Sequence, residues 1–545
     1  MNKNISFYLL IIFSFLCNSI FSQITSDSRH SFDVLNYTLN LDIYKCFINP
    51  YPYSFSAVEE ITFNPNEKIN YISLDASSNM LIIDSVTGSI SSVKHSNNTL
   101  TINFRKELNI NETTSVKIFY RHKNIRDDVF YVHSGMVFTD CEPEGARNWF
   151  PCWDKPSDKA ALNLVAKVPA SVKLGSNGRL ADSVKTGDTI YYNWISRDPV
   201  ATYLISIIGK VNYNLDVEYW KNPNNPNEKL ELRYYWNQGE SVTALSHIKS
   251  TMKEVLNFFT EKFGPHPFEK NGFATVSSGS QFPWGGMENQ SLTTLGYIDW
   301  NEGTVVHEFA HQYFGDMISP QSWADVWLNE GFATYSEALW SEHKNSYKEY
   351  KNEILQYAQY YRYANPGTAI SSDDWKINIP DKEMLFNVAV TYYKGACVLH
   401  QLRYVLGDSI FFETLKSYAS DTSFRYKNAS IRDFNDKVNS VTGKDFDWFF
   451  NAWIYQPNHP VYKNKFNMTQ DKDGKYKLNY KFIQTQKQFF PMTAEILIKF
   501  SDGQEVSKKV FNEYNLQEFE FTFDKKPSSV IFDPNNDIVL KEIEN

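Results

Sequence analysis

Residues 307–311 read His307-Glu308-Phe309-Ala310-His311, and nineteen residues after His311 comes Glu330, inside Trp327-Leu328-Asn329-Glu330-Gly331-Phe332-Ala333. Two histidines four residues apart lie on one face of a helix, so their imidazoles can bind the same ion. A carboxylate from the next helix completes the set and leaves a fourth coordination position open. The stretch therefore predicts two consecutive helices around one catalytic zinc ion per chain, with His307, His311 and Glu330 as its ligands.

Glu308 stands between the two ligand histidines. A carboxylate at this place lies beside the ion, where it can take a proton from an attacking water and return it to a leaving amine. The pattern thus predicts metal-assisted hydrolysis with Glu308 as the general base. The alternative is a chance match on an ordinary amphipathic helix, and Glu330 in a second helical context argues against it.

A second pattern lies upstream, where Trp284-Gly285-Gly286-Met287-Glu288-Asn289 places two glycines before a carboxylate. Glycines allow the backbone to approach an extended ligand closely, and Glu288 then stands at the end of that approach. By itself, the same pattern also fits a glycine turn at the edge of a sheet.

Together, these two patterns resemble the zinc aminopeptidases of the alanyl and leucyl type, a gluzincin family that also includes the leukotriene-epoxide hydrolases. The resemblance extends to residues 141–147, 150–156, 176–178, 203–204 and 392–396, and it covers roughly residues 30–460. It implies an enzyme that uses zinc to remove the N-terminal residue from peptides, and that prefers neutral or apolar first residues.

The resemblance also implies the residues that bind the substrate. Glu288 matches the residue that binds the free α-amino group, Glu142 looks like its partner, and Gly285, Gly286 and Met287 belong to the same substrate-binding segment. Two carboxylates at the closed end of a groove attract an ammonium group and have nothing to pair with on an internal peptide bond. The expected partners are therefore peptides with a free N-terminal amine.

Tyr392, two residues before Lys394, matches the tyrosine that donates a hydrogen bond to the oxyanion. Tyr393 is the alternative, and either ring could instead simply pack in the core.

Three further residues have open roles. Asp140 stands where many relatives have glutamine, and a third acid there either tightens ammonium binding or faces away. Trp284 predicts a broad aromatic wall beside the first substrate residue. Glu337, seven residues after Glu330, either orients a ligand imidazole or is a solvated helix carboxylate.

Two rival functions remain at this stage. Epoxide hydrolysis uses the same Lewis-acid metal, so the zinc ligands do not exclude it. A catalytically silent peptide-binding scaffold is disfavoured because every ligand, Glu308 and Tyr392 are present. Nucleic-acid binding is also disfavoured, since the formal net charge is −9 and no block of Lys and Arg occurs.

The N-terminus predicts export. Lys3 precedes an apolar stretch over residues 5–21 that ends at Ser22-Gln23, which is typical of a signal peptide cleaved after residue 22. We expect a secreted or periplasmic protein without stable membrane insertion. The alternatives are a membrane anchor formed by residues 5–21 and, as a minor one, lipidation at Cys17.

The remaining cysteines, Cys46, Cys141, Cys152 and Cys397, are too few and too dispersed for a disulfide framework. One bridge, between Cys141 and Cys152, is left open.

The pattern along the chain predicts an α+β multidomain protein. Alternating apolar residues over 37–43 and 100–104 indicate an N-terminal antiparallel β domain, assigned to residues 23–214. Helical periodicity indicates a thermolysin-like, mostly helical catalytic domain over residues 215–456. Prolines at 457 and 460 mark the next boundary, and strand alternation then predicts a small C-terminal β-sandwich over residues 457–545.

Overall fold

The computed structural model describes residues 30–223, 225–277, 282, 285–297 and 300–544. The proposed signal peptide and Trp284 lie outside the described residues. Within the part of the chain that is described, no helix has both the length and the apolar character needed to cross a membrane.

The N-terminal part is built from strands. They are β1 (Phe32–Asp42), β2 (Phe55–Pro65), β3 (Ile69–Asp75), β4 (Leu81–Thr87), β5 (Ile90–Ser96), β6 (Thr99–Leu108), β7 (Thr114–His122), β8 (Phe130–His133), β9 (Met136–Thr139), β10 (Lys159–Pro169), β11 (Val172–Ser176), β12 (Arg179–Thr186), β13 (Thr189–Ala201) and β14 (Ile207–Val211). The sheet orders are β12-β13-β10-β1-β2-β7-β4, β11-β14-β9-β8 and β3-β6-β5. Strand β2 alternates buried and more exposed residues along its whole length, as the period of two predicts.

One strand pair differs from the predicted antiparallel arrangement. β1 pairs with β10 in parallel, with Asn36 opposite Ala161, while the other neighbours in this sheet are antiparallel. The alternation of apolar residues shows which face of a strand is buried but not the direction of its partner. The β1/β10 pairing joins strands far apart in the sequence, so no local turn signal marks it.

The middle part is mostly helical, as predicted. Its elements are β15 (Asn214–Asn222), β16 (Asn225–Trp236), α1 (Val242–Phe263), β17 (Lys270–Thr275), β18 (Gly286–Met287), β19 (Thr293–Leu295), α2 (Glu302–Ala310), β20 (Ile318–Pro320), α3 (Trp327–Lys344), α4 (Tyr347–Ala364), α5 (Lys382–Leu385), a π-helix (Val388–Lys394), α6 (Gly395–Leu406), α7 (Asp408–Ser420), β21 (Lys427–Ala429), α8 (Ile431–Thr442) and α9 (Asp447–Trp453). A sheet of order β15-β16-β17-β19-β18 leaves β18 at its edge.

Close packing sets the position of α3. The Trp327 indole lies between Gly331 on α3 and Gly395 at the start of α6, and its Nε1 donates to the Gly395 carbonyl at 3.2 Å. A β-carbon at Gly331 would lie 2.4 Å from the Trp327 ring, so only glycine allows this contact. The segment before α3 is held by a capping box in which Ser322 and Asp325 bond to each other.

The C-terminal part forms a small sandwich. Its strands are β22 (Val461–Tyr462), β23 (Lys465–Gln470), β24 (Tyr476–Lys481), β25 (Met492–Phe500), β26 (Glu505–Asn512), β27 (Glu518–Phe523), β28 (Pro527–Phe532) and β29 (Glu542–Ile543). Sheets of order β23-β24-β27 and β26-β25-β28 face each other, with Phe500 and Phe523 in contact at 5.4 Å between ring centroids. The predicted fold class, α+β with strands at both ends and helices between, is thereby confirmed.

The buried apolar residues form two large cores. One is shared by the helices and the C-terminal sandwich, where Trp453 and Phe490 are in contact at 5.1 Å. The other fills the N-terminal strands and also takes in Met287, Trp323 and Leu385 from the middle part. The N-terminal and middle parts are therefore packed together next to the sheet edge that carries Gly286 and Met287.

The four cysteines of the described chain are buried and free. The Cys141 sulfur accepts a hydrogen bond from the Trp149 indole at 3.2 Å and lies 3.8 Å from the Ile205 carbonyl oxygen. The bridge to Cys152 that the sequence left open is therefore not formed, because the Cys141 thiol is directed to these partners instead.

Candidate active site

Helices α2 and α3 bring the three predicted metal ligands together. The Nε2 atoms of His307 and His311 lie 3.2 Å apart, and Glu330 Oε2 lies 3.3 Å and 3.4 Å from them. Four ligands around an ion in a tetrahedron, each at about 2.1 Å, are about 3.4 Å from one another. The three donor atoms thus already have the spacing that a zinc ion requires.

The other ring nitrogens of the two histidines determine which atoms are free to bind a metal. Nδ1 of His307 lies 2.8 Å from Glu337 Oε1, and Nδ1 of His311 lies 3.2 Å from the Phe314 carbonyl oxygen. Both partners only accept hydrogen bonds, so each Nδ1 carries the proton and each Nε2 offers a lone pair. Glu337 therefore orients a ligand imidazole, the first of the two roles that its position in the sequence suggested.

The electrostatics of the cluster also favour a cation. Two lone pairs and a carboxylate oxygen within 3.4 Å of one another repel unless a positive charge lies between them. Burial lowers the pKa of His307, but hydrogen bonds to Glu330 and Glu337 outweigh burial and raise it well above the usual value. Two imidazoles and a carboxylate are also the donors that proteins use for catalytic zinc, so the residues present fit this ion.

Glu308 is 5% exposed and lies directly under the edge strand β18. A β-carbon at Gly286 would lie 2.5 Å from Glu308 Oε1, so a side chain at Gly286 and Glu308 in its present position exclude each other. Burial raises the pKa of Glu308 to about 8, while His307 and His311 act in the opposite direction. The predicted base thus lies between the predicted metal ligands and strand β18.

Glu142 and Glu288 form a second acidic group beside the ligands. Oxygens of these two residues and of Glu330 all lie within 4.8 Å of one another. Among the described residues, Glu142 Oε1 and Glu288 Oε1 are buried without a hydrogen-bond partner. Burial and then the charge of Glu288 raise the pKa of Glu142 well above its usual value. The two carboxylates therefore lack a positively charged partner that would offset their repulsion.

The motifs around Glu142 hold it in place. Glu142 follows β9, and Arg147 closes the loop after it by donating to Asp154 at 2.8 Å and to Glu144 at 2.6 Å. Arg147 therefore links residues 141–147 to residues 150–156, two of the segments in which the sequence resembles known aminopeptidases.

The segment after Glu288 is fixed in a similar way by the N-terminal strands. Asn177 donates to the Gln290 carbonyl oxygen at 2.8 Å, and the Gly178 amide donates to Ser291 Oγ at 2.8 Å. Gly178 has φ +70, and a β-carbon there would lie 2.1 Å from a backbone oxygen, so the motif requires glycine. Residues 176–178 thus position Glu288 from the neighbouring domain without reaching the site.

The structure separates the two tyrosines that the sequence left as alternatives. Tyr392 lies over His307, with ring centroids 6.0 Å apart, and its hydroxyl is hydrogen-bonded to Glu330. Tyr393 instead stacks on Tyr357 with ring centroids 4.7 Å apart. Both occur in the π-helix, whose wider turn directs consecutive tyrosines to different parts of the cavity.

These residues line one cavity of about 810 Å³. It includes every predicted site residue, together with Asp140, which is 3% exposed, and Glu337. The sequence did not identify the other lining residues, which are Asn301, Gly303, Thr304, Thr334, Tyr357, Lys382, Glu383, Phe386 and Val388. Thr334, four residues after Glu330 on the same helix face, could have been found from helical periodicity. Gly303 and Thr304, four residues before His307 and Glu308 on α2, could have been found in the same way. Tyr357, Lys382, Glu383 and Phe386 come from other parts of the chain, and no motif joins them to the site.

Comparison with known proteins adds independent findings. The family model described as "Peptidase M1 N-terminal domain" matches residues 34–204, and the one described as "Peptidase family M1 domain" matches residues 248–453. The first covers most of the N-terminal strands, and the second runs from α1 to the end of α9.

Curated relatives show the same likeness. The chain is 26% identical to "Aminopeptidase M1" of Arabidopsis thaliana over 374 residues, which are 64% of this chain and 40% of that protein. It is 25% identical to "Probable aminopeptidase 1" of Sulfurisphaera tokodaii over 454 residues, which are 78% of this chain and 54% of that protein. The chain thus spans about half the length of these relatives.

Solved structures share the fold. An M1 zinc metallopeptidase from Deinococcus radiodurans superposes with a TM-score of 0.68 at 24% identity, covering 80% of this chain and 97% of the other. Legionella pneumophila aminopeptidase A gives a TM-score of 0.78 at 17% identity, covering 95% of this chain and 60% of the other. Two consecutive domain matches of one family, on the N-terminal strands and then on the helices that carry His307, His311 and Glu330, show that this chain belongs to peptidase family M1.

Proposed function

We propose that the protein is a zinc-dependent aminopeptidase that hydrolyses the N-terminal residue from peptides. The observation that carries the proposal is the pair of Glu288, which is buried, and Glu142, which is partly buried; an oxygen of each lies within 4.8 Å of one of Glu330. Among the described residues, the Oε1 atom of each is buried without a hydrogen-bond partner. A free α-ammonium group supplies the charge and the hydrogen bonds that this pair lacks. An acylated or internal amide nitrogen is uncharged and has at most one N–H, so it cannot satisfy both carboxylates, and only a chain end fits.

The distance from this pair to the metal ligands determines how many residues are released in each cleavage. An ammonium group held between Glu142 and Glu288 places the first carbonyl of the peptide, two bonds further along, beside the metal ligands. When bound, zinc acts as a Lewis acid that polarises this carbonyl and makes water more acidic. Amine recognition and hydrolysis therefore act on the same residue, and one amino acid is released at a time.

Glu308 and Tyr392 divide the proton transfer and the charge stabilisation. Glu308, buried against Gly286, is placed to accept a proton from the attacking water and to pass it to the leaving amine. Tyr392 lies on the His307 side of the cavity and donates through its hydroxyl, so it is our choice for stabilising the oxyanion. Tyr393 does not suit that role, because it stacks on Tyr357.

The edge strand supplies the backbone contacts. Among the described residues, β18 pairs only with β19, through Gly286 opposite Leu295 and Met287 opposite Thr294. Its other edge can add an extended peptide by strand pairing, and Gly285 and Gly286 allow that peptide to approach closely. For the first substrate residue we propose a neutral or apolar preference, because Met287 lines the cavity and Trp284 comes three residues before it in the sequence.

We also propose that residues 1–22 are removed during export, so that the enzyme acts outside the cytoplasm. The support is the pattern of Lys3 followed by the apolar residues 5–21. Mass spectrometry of the mature N-terminus after expression in the native cell tests the proposal. A chain that retains residues 5–21 in the membrane fraction would favour the anchor instead.

The function is tested with aminoacyl anilides and their N-acetylated counterparts, with and without a zinc chelator. We expect chelator-sensitive cleavage of the free-amine series alone. Equal cleavage of the acetylated series would rule out amine recognition by Glu142 and Glu288. No cleavage of either series would favour the two alternatives, an epoxide hydrolase or a catalytically silent scaffold. An assay of lipid-epoxide hydrolysis would then distinguish between them.

Two variants connect the result to the proposed residue. Glu288→Gln keeps the volume of the side chain and removes its charge, and Glu288→Ala removes both. Because a hydrogen bond to a charged group contributes about 1.5–3 kcal/mol, each should lower kcat/KM by about ten- to a hundredfold. The loss should appear mainly in KM, with zinc content unchanged.

A further inference from the structure

The contacts along the cavity give it two distinguishable ends. Glu142 and Glu288 lie next to Glu330, which defines an amine end. His307 contacts Glu337 on its other side at 2.8 Å. A peptide whose ammonium group is held at the amine end must therefore leave past His307 and Glu337.

Aromatic rings line this leaving side. Tyr393 stacks on Tyr357 with ring centroids 4.7 Å apart and an angle of 10° between the ring planes. Both rings line the cavity. Tyr360 meets the Tyr393 ring edge-on at 5.2 Å and is 46% exposed, so it continues the same wall to the surface. We call Tyr357, Tyr393 and Tyr360 the tyrosine wall.

The charges at this end are negative. Burial and then Glu337 and Glu353 raise the pKa of Tyr357, and the Tyr357 hydroxyl donates to Glu353 at 2.7 Å. Lys382 is the one Lys or Arg among the described residues that line the cavity, and its charge acts on Glu142, at the amine end. A free carboxylate on the second substrate residue would thus meet Glu337 with no Lys or Arg of the described cavity lining at this end.

We propose that the tyrosine wall is the subsite for the second and third residues of the substrate. This inference rests on the proposed aminopeptidase function and specifies its substrate class: peptides of three or more residues with an aromatic or apolar side chain directly after the scissile bond. The rings offer flat apolar surface to such a side chain. The acidic surroundings disfavour free dipeptides, because the C-terminal carboxylate of a dipeptide would lie beside Glu337.

The test uses substrates with a constant first residue and no free carboxylate: leucinamide, Leu-Gly-Gly-amide, Leu-Phe-Gly-amide and Leu-Gly-Phe-amide. Leucine release measured by mass spectrometry gives kcat/KM for each. One added aromatic contact is worth about two- to tenfold, so we expect both Phe peptides to exceed Leu-Gly-Gly-amide by that factor. A fifth and a sixth substrate, Leu-Phe-amide and Leu-Phe with its free carboxylate, test the acidic surroundings: Leu-Phe should be cleaved less efficiently, and equal cleavage of the two would overturn the exclusion of free dipeptides.

Three variants on α4 locate the effect. Tyr360→Ala should bring the Phe/Gly ratio close to one and leave leucinamide hydrolysis unchanged, because leucinamide does not reach this ring. Tyr360→Phe should keep the ratio, since the ring is retained. Tyr363→Ala is the matched control, because Tyr363 is on the same helix and is 88% exposed.

Each result supports or overturns the subsite. Equal kcat/KM for the Gly and Phe peptides in the unaltered enzyme overturns it, and so does a ratio that survives in Tyr360→Ala. A loss of leucinamide hydrolysis in Tyr360→Ala would show a general structural role and overturns it as well. If the zinc-loaded enzyme cleaves neither leucinamide nor any peptide, the aminopeptidase function itself fails and the subsite fails with it.

Discussion

At the scale of single residues, the site depends on groups that prevent competing side-chain positions and protonation states. Gly286 leaves the space that Glu308 occupies, and the Glu337 carboxylate directs the proton of His307 away from the metal. Neither effect is a strong bond by itself. Each removes a competing arrangement, so that Glu308 and the two Nε2 atoms face the same small volume.

Replacing Glu308 by Gln tests the separation between metal binding and catalysis. The amide keeps the size of the side chain but cannot accept the proton, so kcat should fall by about 10²- to 10⁴-fold. Zinc content should stay at one ion per chain, because Glu308 is not among the three proposed ligands. Metal analysis together with kcat for a leucyl anilide checks both, and retained turnover would remove Glu308 as the base.

Glu59, in the core of the N-terminal strands, predicts a pH effect on stability. It is 0% exposed, and its carboxyl oxygens have no hydrogen-bond partner among the described residues. Burial raises its pKa well above the usual value, so the folded protein keeps a proton that the unfolded chain releases. The stability that this proton provides is complete at pH values below the pKa in the unfolded chain, near 4.3, and it is lost as the pH rises through the folded-state pKa.

Glu59→Gln should therefore gain stability relative to the unaltered protein as the pH rises. Melting temperatures measured between pH 4 and pH 8 should show a growing difference. Glu60→Gln is the control, because that neighbouring side chain is 41% exposed and paired with Lys117. A constant Glu59→Gln difference across this range would contradict the assignment.

At the scale of elements, the site is built where helices meet closely. α3 carries Glu330 and Glu337, and it contacts α6 through Gly331, Gly395 and the Trp327 indole. The π-helix before α6 then places Tyr392 over His307. A small change at the α3/α6 contact is consequently transmitted to a metal ligand.

Gly331→Ala should destabilise the protein, although Ala in place of Gly usually stabilises a helix by about 1 kcal/mol. The new β-carbon would lie 2.4 Å from Trp327, and overpacking of this kind costs about 1–3 kcal/mol. We expect a lower melting temperature and weaker zinc binding. In a Trp327→Phe background the cost should shrink, and strictly additive effects in this double-mutant cycle would contradict the proposed clash.

At the scale of the whole molecule, the site joins parts that have separate cores. Glu142 comes from the N-terminal part, and the metal ligands come from helices whose core extends into the C-terminal sandwich. A metal held by α2 and α3 stabilises the folded form over the unfolded chain by mass action.

Removing zinc should thus lower the melting temperature. Free zinc at about a thousand times its dissociation constant adds about 4 kcal/mol of stability, and a chelator should abolish this contribution. Scanning calorimetry with and without the chelator measures the shift, and added zinc should reverse it. His311→Ala should melt at the same temperature in both conditions, and a chelator effect retained in that variant would indicate another binding site.

The sequence by itself predicted the ligand triad, the base and the fold class, because these depend on local spacing. Residues four apart share a helix face wherever the helix lies, and alternation marks a strand whatever its partner. The role of Tyr392 came from motif register and could not be separated from that of Tyr393 by spacing alone. The free state of Cys141 and the parallel pairing of β1 with β10 also could not be read from local patterns.

The tertiary structure alone decided what depends on residues distant in the chain. It placed Glu142 beside Glu288, separated Tyr392 from Tyr393, and packed Tyr393 against Tyr357 and Tyr360. It also showed that Glu337 contacts His307. The physical reason is that each of these contacts results from the packing of separate helices and strands, and packing depends on the complementarity of whole surfaces rather than on the spacing of residues within one segment.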